Sequence, residues 1–154
     1  MKRLLIISGL GVVFVIGLAA AATPAPPAAG LSPEQIVRTR QAAYDLSAGT
    51  FGEMKIAIDT GADVKPLVFG SNALVRWART LPTLFPDGSN VPPTHARPEV
   101  WTNRTEFNQR AQAYAEGAAK LAEVAKSGDK TAFAAQWNAV RDTCKACHDS
   151  FRKN

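Results

Sequence analysis

A chain of 154 residues, 46% of them hydrophobic, suits one domain with a real core. The formal charge is +5, but Lys2 and Arg3 lie in an N-terminal leader, and without them 16 basic residues face 13 acidic ones. That surplus contains no block of Lys or Arg, which argues against nucleic-acid binding, where charge is gathered on one face or arm.

The leader comes first. Two cations precede an apolar run from Leu4 to Ala22, and small residues at Ala20–Ala22 lead into "TPAPPAAG". This is the layout of a secretory signal peptide (residues 1–22) followed by a Pro/Ala linker (23–31), cut after Ala22 or after Ala29. The competing reading is an uncleaved anchor, since the run is just long enough to span a bilayer. Gly9, Gly11, Gly17 and the alanine run weaken it. The expected product is an exported bacterial protein in the periplasm, with no membrane segment after cleavage.

The domain is expected over 32–154. Ser32 is a good N-cap, Pro33 fits the first helical position and Gln35 completes a capping box, so a helix should run to about Thr60 with Gly61 as its stop. Val37, Tyr44, Phe51 and Ile58 recur every seven residues; the companion row, Arg40, Ser47 and Met54, is partly polar. A second helix should start at Asp63, carry Leu67, Ser71, Leu74, Ala78 and Leu81 on one face, and end at Pro82. "FPDGSNVPPTHARP" (85–98) is a loop by composition. A third helix should begin near Thr102, with its seam at Phe107, Ala111, Tyr114, Ala118, Leu121 and Ala125. Asp129 should cap a fourth, with Phe133, Trp137, Val140, Cys144, Cys147 and Phe151 on its seam. Four helices with one apolar seam each, joined mostly by short connections, predict an all-α, antiparallel four-helix bundle.

Both cysteines and one of the two histidines fall within "CKACH", and Cys144, Cys147 and His148 share one helical face. A disulfide between them would close a tiny loop and constrain almost nothing. A thioredoxin-like pair expects a strand before the helix, whereas a long helix precedes this one. Zinc would need a fourth ligand, and nothing places His95 nearby; that residue reads as a surface histidine. Cys-x-x-Cys-His is the pattern of covalent c-type haem attachment, in which each thiol forms a thioether and the histidine becomes an axial iron ligand. A flat, mostly apolar cofactor anchored at seam positions suits a bundle interior, and export suits a haem that is attached outside the cytoplasm.

Three stretches, "SPEQIVRTRQAAYDL", "ARPEVWTNRTEF" and "CKACHDSFRK", resemble the class II c-type cytochromes, and within them cytochrome c′, from Ser32 to the C-terminus. "LPTLFPDG" also resembles the low-spin members of that class. The resemblance implies one haem c held by Cys144 and Cys147, with His148 as the proximal ligand and Arg152 beside it. It places Arg40 near a haem propionate and Tyr44 over the other side of the iron. On the residues alone, Tyr44 also reads as a core aromatic, and Arg40 as a surface arginine with a buried stem. A charge on the seam needs a partner, which a propionate would supply.

The sixth iron ligand decides the chemistry. Low-spin relatives use a methionine of the first helix near the Tyr44 position, but this chain has only Met1, in the leader, and Met54. Met54 lies ten residues beyond Tyr44, roughly 15 Å along a helix, and reads as core filler. A tyrosinate ligand would need a pKa far below about 10. Five-coordinate, high-spin haem is therefore expected, with binding of nitric oxide or carbon monoxide, one-electron transfer to an unknown redox partner, and no enzymatic activity. The alternative is a low-spin relative acting purely as an electron carrier. The resemblance also implies a homodimer through the first two helices, for which Phe69, Val75 and Trp77 are the expected surface.

Overall fold

The structure is a computed structural model and describes residues 30–153. The signal peptide, both cut sites and most of the linker lie outside the described residues. The helices are α1 (Pro33–Thr60), α2 (Val68–Thr80), the single turn α3 (Glu99–Thr102), α4 (Arg104–Ser127) and α5 (Lys130–Phe151). No strand occurs among the described residues, and none of their helices is long and apolar enough to cross a membrane.

The ends of α1 follow the sequence closely. The Ser32 hydroxyl accepts from Gln35 N, and the Gln35 side chain accepts from Ser32 N at 2.7 Å, so two orphan donors are satisfied together. Gly61 closes the helix at φ 66°, a left-handed conformation that glycine adopts without steric cost. At the break between α4 and α5, Gly128 takes φ 82° and the Asp129 carboxylate accepts from Ala132 N at 2.9 Å. Lys130 Nζ reaches Gly61 O, so α1 ends where α5 begins. At the opposite end, the loop after α2 bonds both Arg40 and Phe151. The four long helices thus alternate in direction, as the seams predicted.

Three local expectations differ. The second helix does not begin at Asp63: the Asp63 carboxylate accepts from Lys65 N at 3.0 Å, Pro66 offers no N–H, and the chain makes a 3₁₀ turn at Lys65–Leu67 before α2 starts. Pro82 does not stop the chain abruptly either; α2 tightens into a second 3₁₀ turn, Leu81–Leu84. The third long helix, α4, starts within two residues of the expected Thr102, but an unexpected single turn, α3, precedes it, set apart at Asn103 by φ −119° and ψ 53°.

The interior divides into two clusters. The first is built from Met54, Leu74, Leu121, Phe133 and Val140, each at most 1% exposed, with Val64, Val75, Ala118, Ala125 and Trp137. The second, towards the opposite end, holds Leu81, Phe85, Val100, Phe107, Ala111 and Phe151. Val75 belongs inside the first cluster, and Trp77 packs edge-on against Tyr44 with ring centroids 5.0 Å apart. Val75 is therefore not available to an outer surface, because α2 buries a wider stripe than the single predicted row, whereas Trp77 is only half-buried. Phe69 is 78% exposed, as expected.

Candidate cofactor site

A cavity of about 420 Å³ opens against the second cluster, all six of whose buried residues line it. One wall is the last two turns of α5, with Cys144, Cys147, His148 and Phe151. The facing wall is α1, with Arg40, Tyr44, Ser47 and Phe51. Phe107, Ala111 and Tyr114 of α4 form the floor, Trp77 and Leu81 close the α2 side, and Phe85, Thr94, His95 and Ala96 of the loop cover one end. His95, though exposed, is thus placed beside this space by a loop whose path the sequence did not give away. The structure therefore gathers all six sequence-predicted residues, Arg40, Tyr44, Cys144, Cys147, His148 and Arg152, around one space. Met54 does not line it and sits in the other cluster.

The two cysteines are half-buried and unbonded, and they straddle the interior: Cys144 packs on the first cluster and Cys147 on the second. Burial pushes both thiols up, and the neighbouring Cys144 adds to the effect at Cys147, which reaches about 11. Protonated thiols are the opposite of what a thioredoxin-like pair requires. No group of three His, Cys, Asp or Glu side chains among the described residues is placed to hold a metal ion, so zinc lacks its ligand set. Desolvation, and then the Arg152 cation, hold the His148 imidazole below its ordinary range, with Asp149 opposing. A neutral imidazole at neutral pH is the form that ligates iron.

Arg40 is 2% exposed, which excludes a surface arginine. Its partners are in the loop. Nη1 donates to Leu84 O at 3.2 Å and Ser89 Oγ at 2.9 Å; Nη2 donates to Ser89 O at 2.9 Å and Thr94 Oγ1 at 2.7 Å. Its guanidinium carbon also lies 4.3 Å from the centre of the Phe85 ring. Four of its five N–H groups are thus engaged within the protein, leaving Nε for a group in the cavity. Burial, and then the neighbouring Cys147, raise the Tyr44 phenol above its usual range, with Arg40 opposing, so it stays protonated.

Sequence reasoning named Tyr114 and Trp77 only as packing or surface residues, yet both form cavity wall. Trp77 Nε1 is buried without a hydrogen-bond partner. Ser89 and Thr94 went unnoticed because a loop has no period from which a buried position can be read.

A largely apolar cavity, two thiols and an imidazole on one wall, and a buried cation at one end fit a flat apolar ring carrying carboxylates. The fold and site define the class: a four-helix bundle whose last helix presents the Cys-x-x-Cys-His pattern of c-type haem attachment to the cavity. Residues 35–152 match the family model described as Cytochrome C′. The chain belongs to the cytochrome c′ family. A cytochrome c′ of Alcaligenes xylosoxydans xylosoxydans is 36% identical over 124 residues, which is 79% of this chain and 95% of that one. Another, of Allochromatium vinosum, is 30% identical over 157 residues, 99% of each chain. Among solved structures, a cytochrome c′ described as having ligand-controlled dimer dissociation aligns with a TM-score of 0.77 at 29% identity, covering 82% of this chain and 100% of that one. A nitric oxide complex of a cytochrome c prime variant from Alcaligenes xylosoxidans aligns with a TM-score of 0.75 at 31% identity, covering 82% and 99%.

Proposed function

We propose that this protein is a periplasmic cytochrome c′ that carries one haem c on Cys144 and Cys147, binds nitric oxide or carbon monoxide, and passes single electrons to a redox partner. The carrying observation is the asymmetry of the cavity. His148 stands on the α5 wall, the α1 wall offers Tyr44, and no methionine lines the space. The bound group supplies an iron that cycles between ferric and ferrous and accepts one small ligand. The chain's residues do the rest. His148 would be the proximal ligand; burial first, and then Arg152, four residues on and lining the same cavity, lower the affinity of its imidazole for a proton. Tyr44, held edge-on to Trp77 and protonated, crowds the distal side without ligating, which makes the haem five-coordinate and high-spin. Arg40, which lines the cavity and whose Nε has no protein partner, would face a propionate.

The α1 wall offers the protonated Tyr44 phenol and no histidine, which supports a carrier or gas binder over an enzyme. The nitric oxide complex among its structural relatives supports gas binding. A homodimer through α1 and α2 accounts for Leu46 (75% exposed), Ile56 (62%) and Phe69 (78%), large apolar side chains left on those two helices. The dimer described for a structural relative supports it.

The test is a pyridine haemochrome assay on exported protein, followed by titration of the ferrous form with nitric oxide and carbon monoxide. A c-type haem spectrum and saturable binding of one gas molecule per chain are expected. A c-type haem that binds neither gas would favour the pure electron carrier; absence of c-type haem would overturn the reading altogether.

A further inference from the structure

His148 sits in the last turn of α5, four residues before the helix gives way at Arg152. Final turns fray, because the last four carbonyls have no intrahelical donor. An iron ligand placed there needs a brace from outside the helix, and the loop after α2 supplies one. Arg97 N donates to Phe151 O at 2.9 Å, Lys153 N donates to His95 O at 2.8 Å, and Ala96 and Arg152 pair as an antiparallel bridge. The Arg97 side chain reaches Asp149 O at 3.4 Å, while Arg152 N donates to His148 O at 3.1 Å.

The brace is fastened to α1 at two adjacent residues: Gln41 Nε2 donates to Pro93 O at 2.9 Å, and Thr94 makes the buried contact. Thr94 Oγ1 accepts from Arg40 Nη2 at 2.7 Å and from Ala96 N at 3.1 Å. The earlier part of the loop has separate anchors: Arg104 donates to Pro82 O and Phe85 O, and Trp101 Nε1 to Pro86 O. Those anchors stop short of residues 94–97. Hydrogen bonds therefore tie Arg40 on α1 to Thr94 and Ala96, and the backbone on either side of Ala96, at His95 and Arg97, ties the strap to Lys153 and Phe151 at the end of α5.

We infer that Thr94 is a positioning residue: by accepting from Arg40 and Ala96 at once, it locks the 94–97 strap against the end of α5 and fixes where His148 stands relative to the Tyr44 wall. The inference rests on His148 being the proximal ligand. It gives Arg40 a role beyond any propionate contact, since its guanidinium ties the distal helix to the proximal one.

The test uses the haem-loaded protein and Thr94→Val, which keeps the shape and removes the acceptor. Amide exchange at Ala96, Arg97 and Lys153 should speed up about tenfold, the effect of losing one good hydrogen bond. The iron–histidine stretching band in the resonance Raman spectrum of the ferrous protein should shift and broaden. Thr94→Ser, which retains the oxygen, should restore both readouts. Ser89→Ala, which loosens the grip of Arg40, should give a smaller change of the same sign. Faster exchange with an unmoved iron–histidine band would overturn the inference, as would unchanged exchange. A wild-type protein without c-type haem would instead sink the haem reading, and the exchange data alone would still decide whether Thr94 fastens the strap.

Discussion

The two halves of the interior follow the same seven-residue rhythm and end up in opposite conditions. Around Phe133, Leu121 and Met54 the seams of all four long helices close on one another, leaving these side chains at most 1% exposed. About two to four turns away, Tyr44, Tyr114, Cys144 and Cys147 occupy equivalent seam positions and stay only half-buried, because they face the 420 Å³ cavity. Phe51 marks the boundary, stacked on Trp137 with centroids 4.4 Å apart while lining the cavity on its other side. A hydrophobic pattern states that a position turns inward. It does not state whether protein or cofactor meets it there.

The strongest way to break this contrast is to remove the cofactor. In Cys144→Ala/Cys147→Ala protein, a cavity of 420 Å³ at about 24 cal/mol per Å³ sets an upper bound on the order of 10 kcal/mol, comparable to the whole stability of a domain. The cavity half should collapse or open. Native-state amide exchange should show protection lost over residues 40–51 and 144–151 but largely kept around Leu121 and Phe133. Uniform loss across both halves would contradict the division.

The converse experiment damages the self-packed half. Phe133→Ala should cost about 3–5 kcal/mol in chemical denaturation and leave the visible haem spectrum unchanged. Arg40→Met should cost about 2–4 kcal/mol, since it strands the buried acceptors at Ser89 and Leu84, each worth about 1–3 kcal/mol when unpaired. A surface arginine would cost less than about 0.5 kcal/mol. The smallest stability effect belongs to Tyr44→Leu, within about 1 kcal/mol because the ring is half-buried at the cavity edge. Its readout is kinetic: with less crowding over the iron, carbon monoxide should associate faster.

The sequence carried the fold far because each signal was local. The capping box at Ser32, the left-handed glycines 61 and 128 and the Asp129 cap are short-range chemistry, and the seams of α4 and α5 are regular. The cofactor wall was legible for the same reason, since Cys144, Cys147 and His148 lie within one turn and a half of helix. What escaped depends on contacts distant in sequence. Spacing put Arg40 on the inward face, but its partners lie 44 to 54 residues away in an aperiodic loop. Val75 and Trp77 looked outward because a single row was read for α2, while the helix is covered on more than one side. The break at Asn103 has no proline or glycine to announce it.

The account turns on what faces His148 across the cavity. The direct measurement is the electron paramagnetic resonance spectrum of the ferric protein at neutral pH, with the absorption spectrum of the same sample. A high-spin ferric signal that disappears on reduction, followed by a new signal when nitric oxide is added to the reduced protein, is the predicted result, given a wall that offers Tyr44 and no methionine. A native low-spin spectrum would mean that a side chain already ligates the iron there, and would contradict the account.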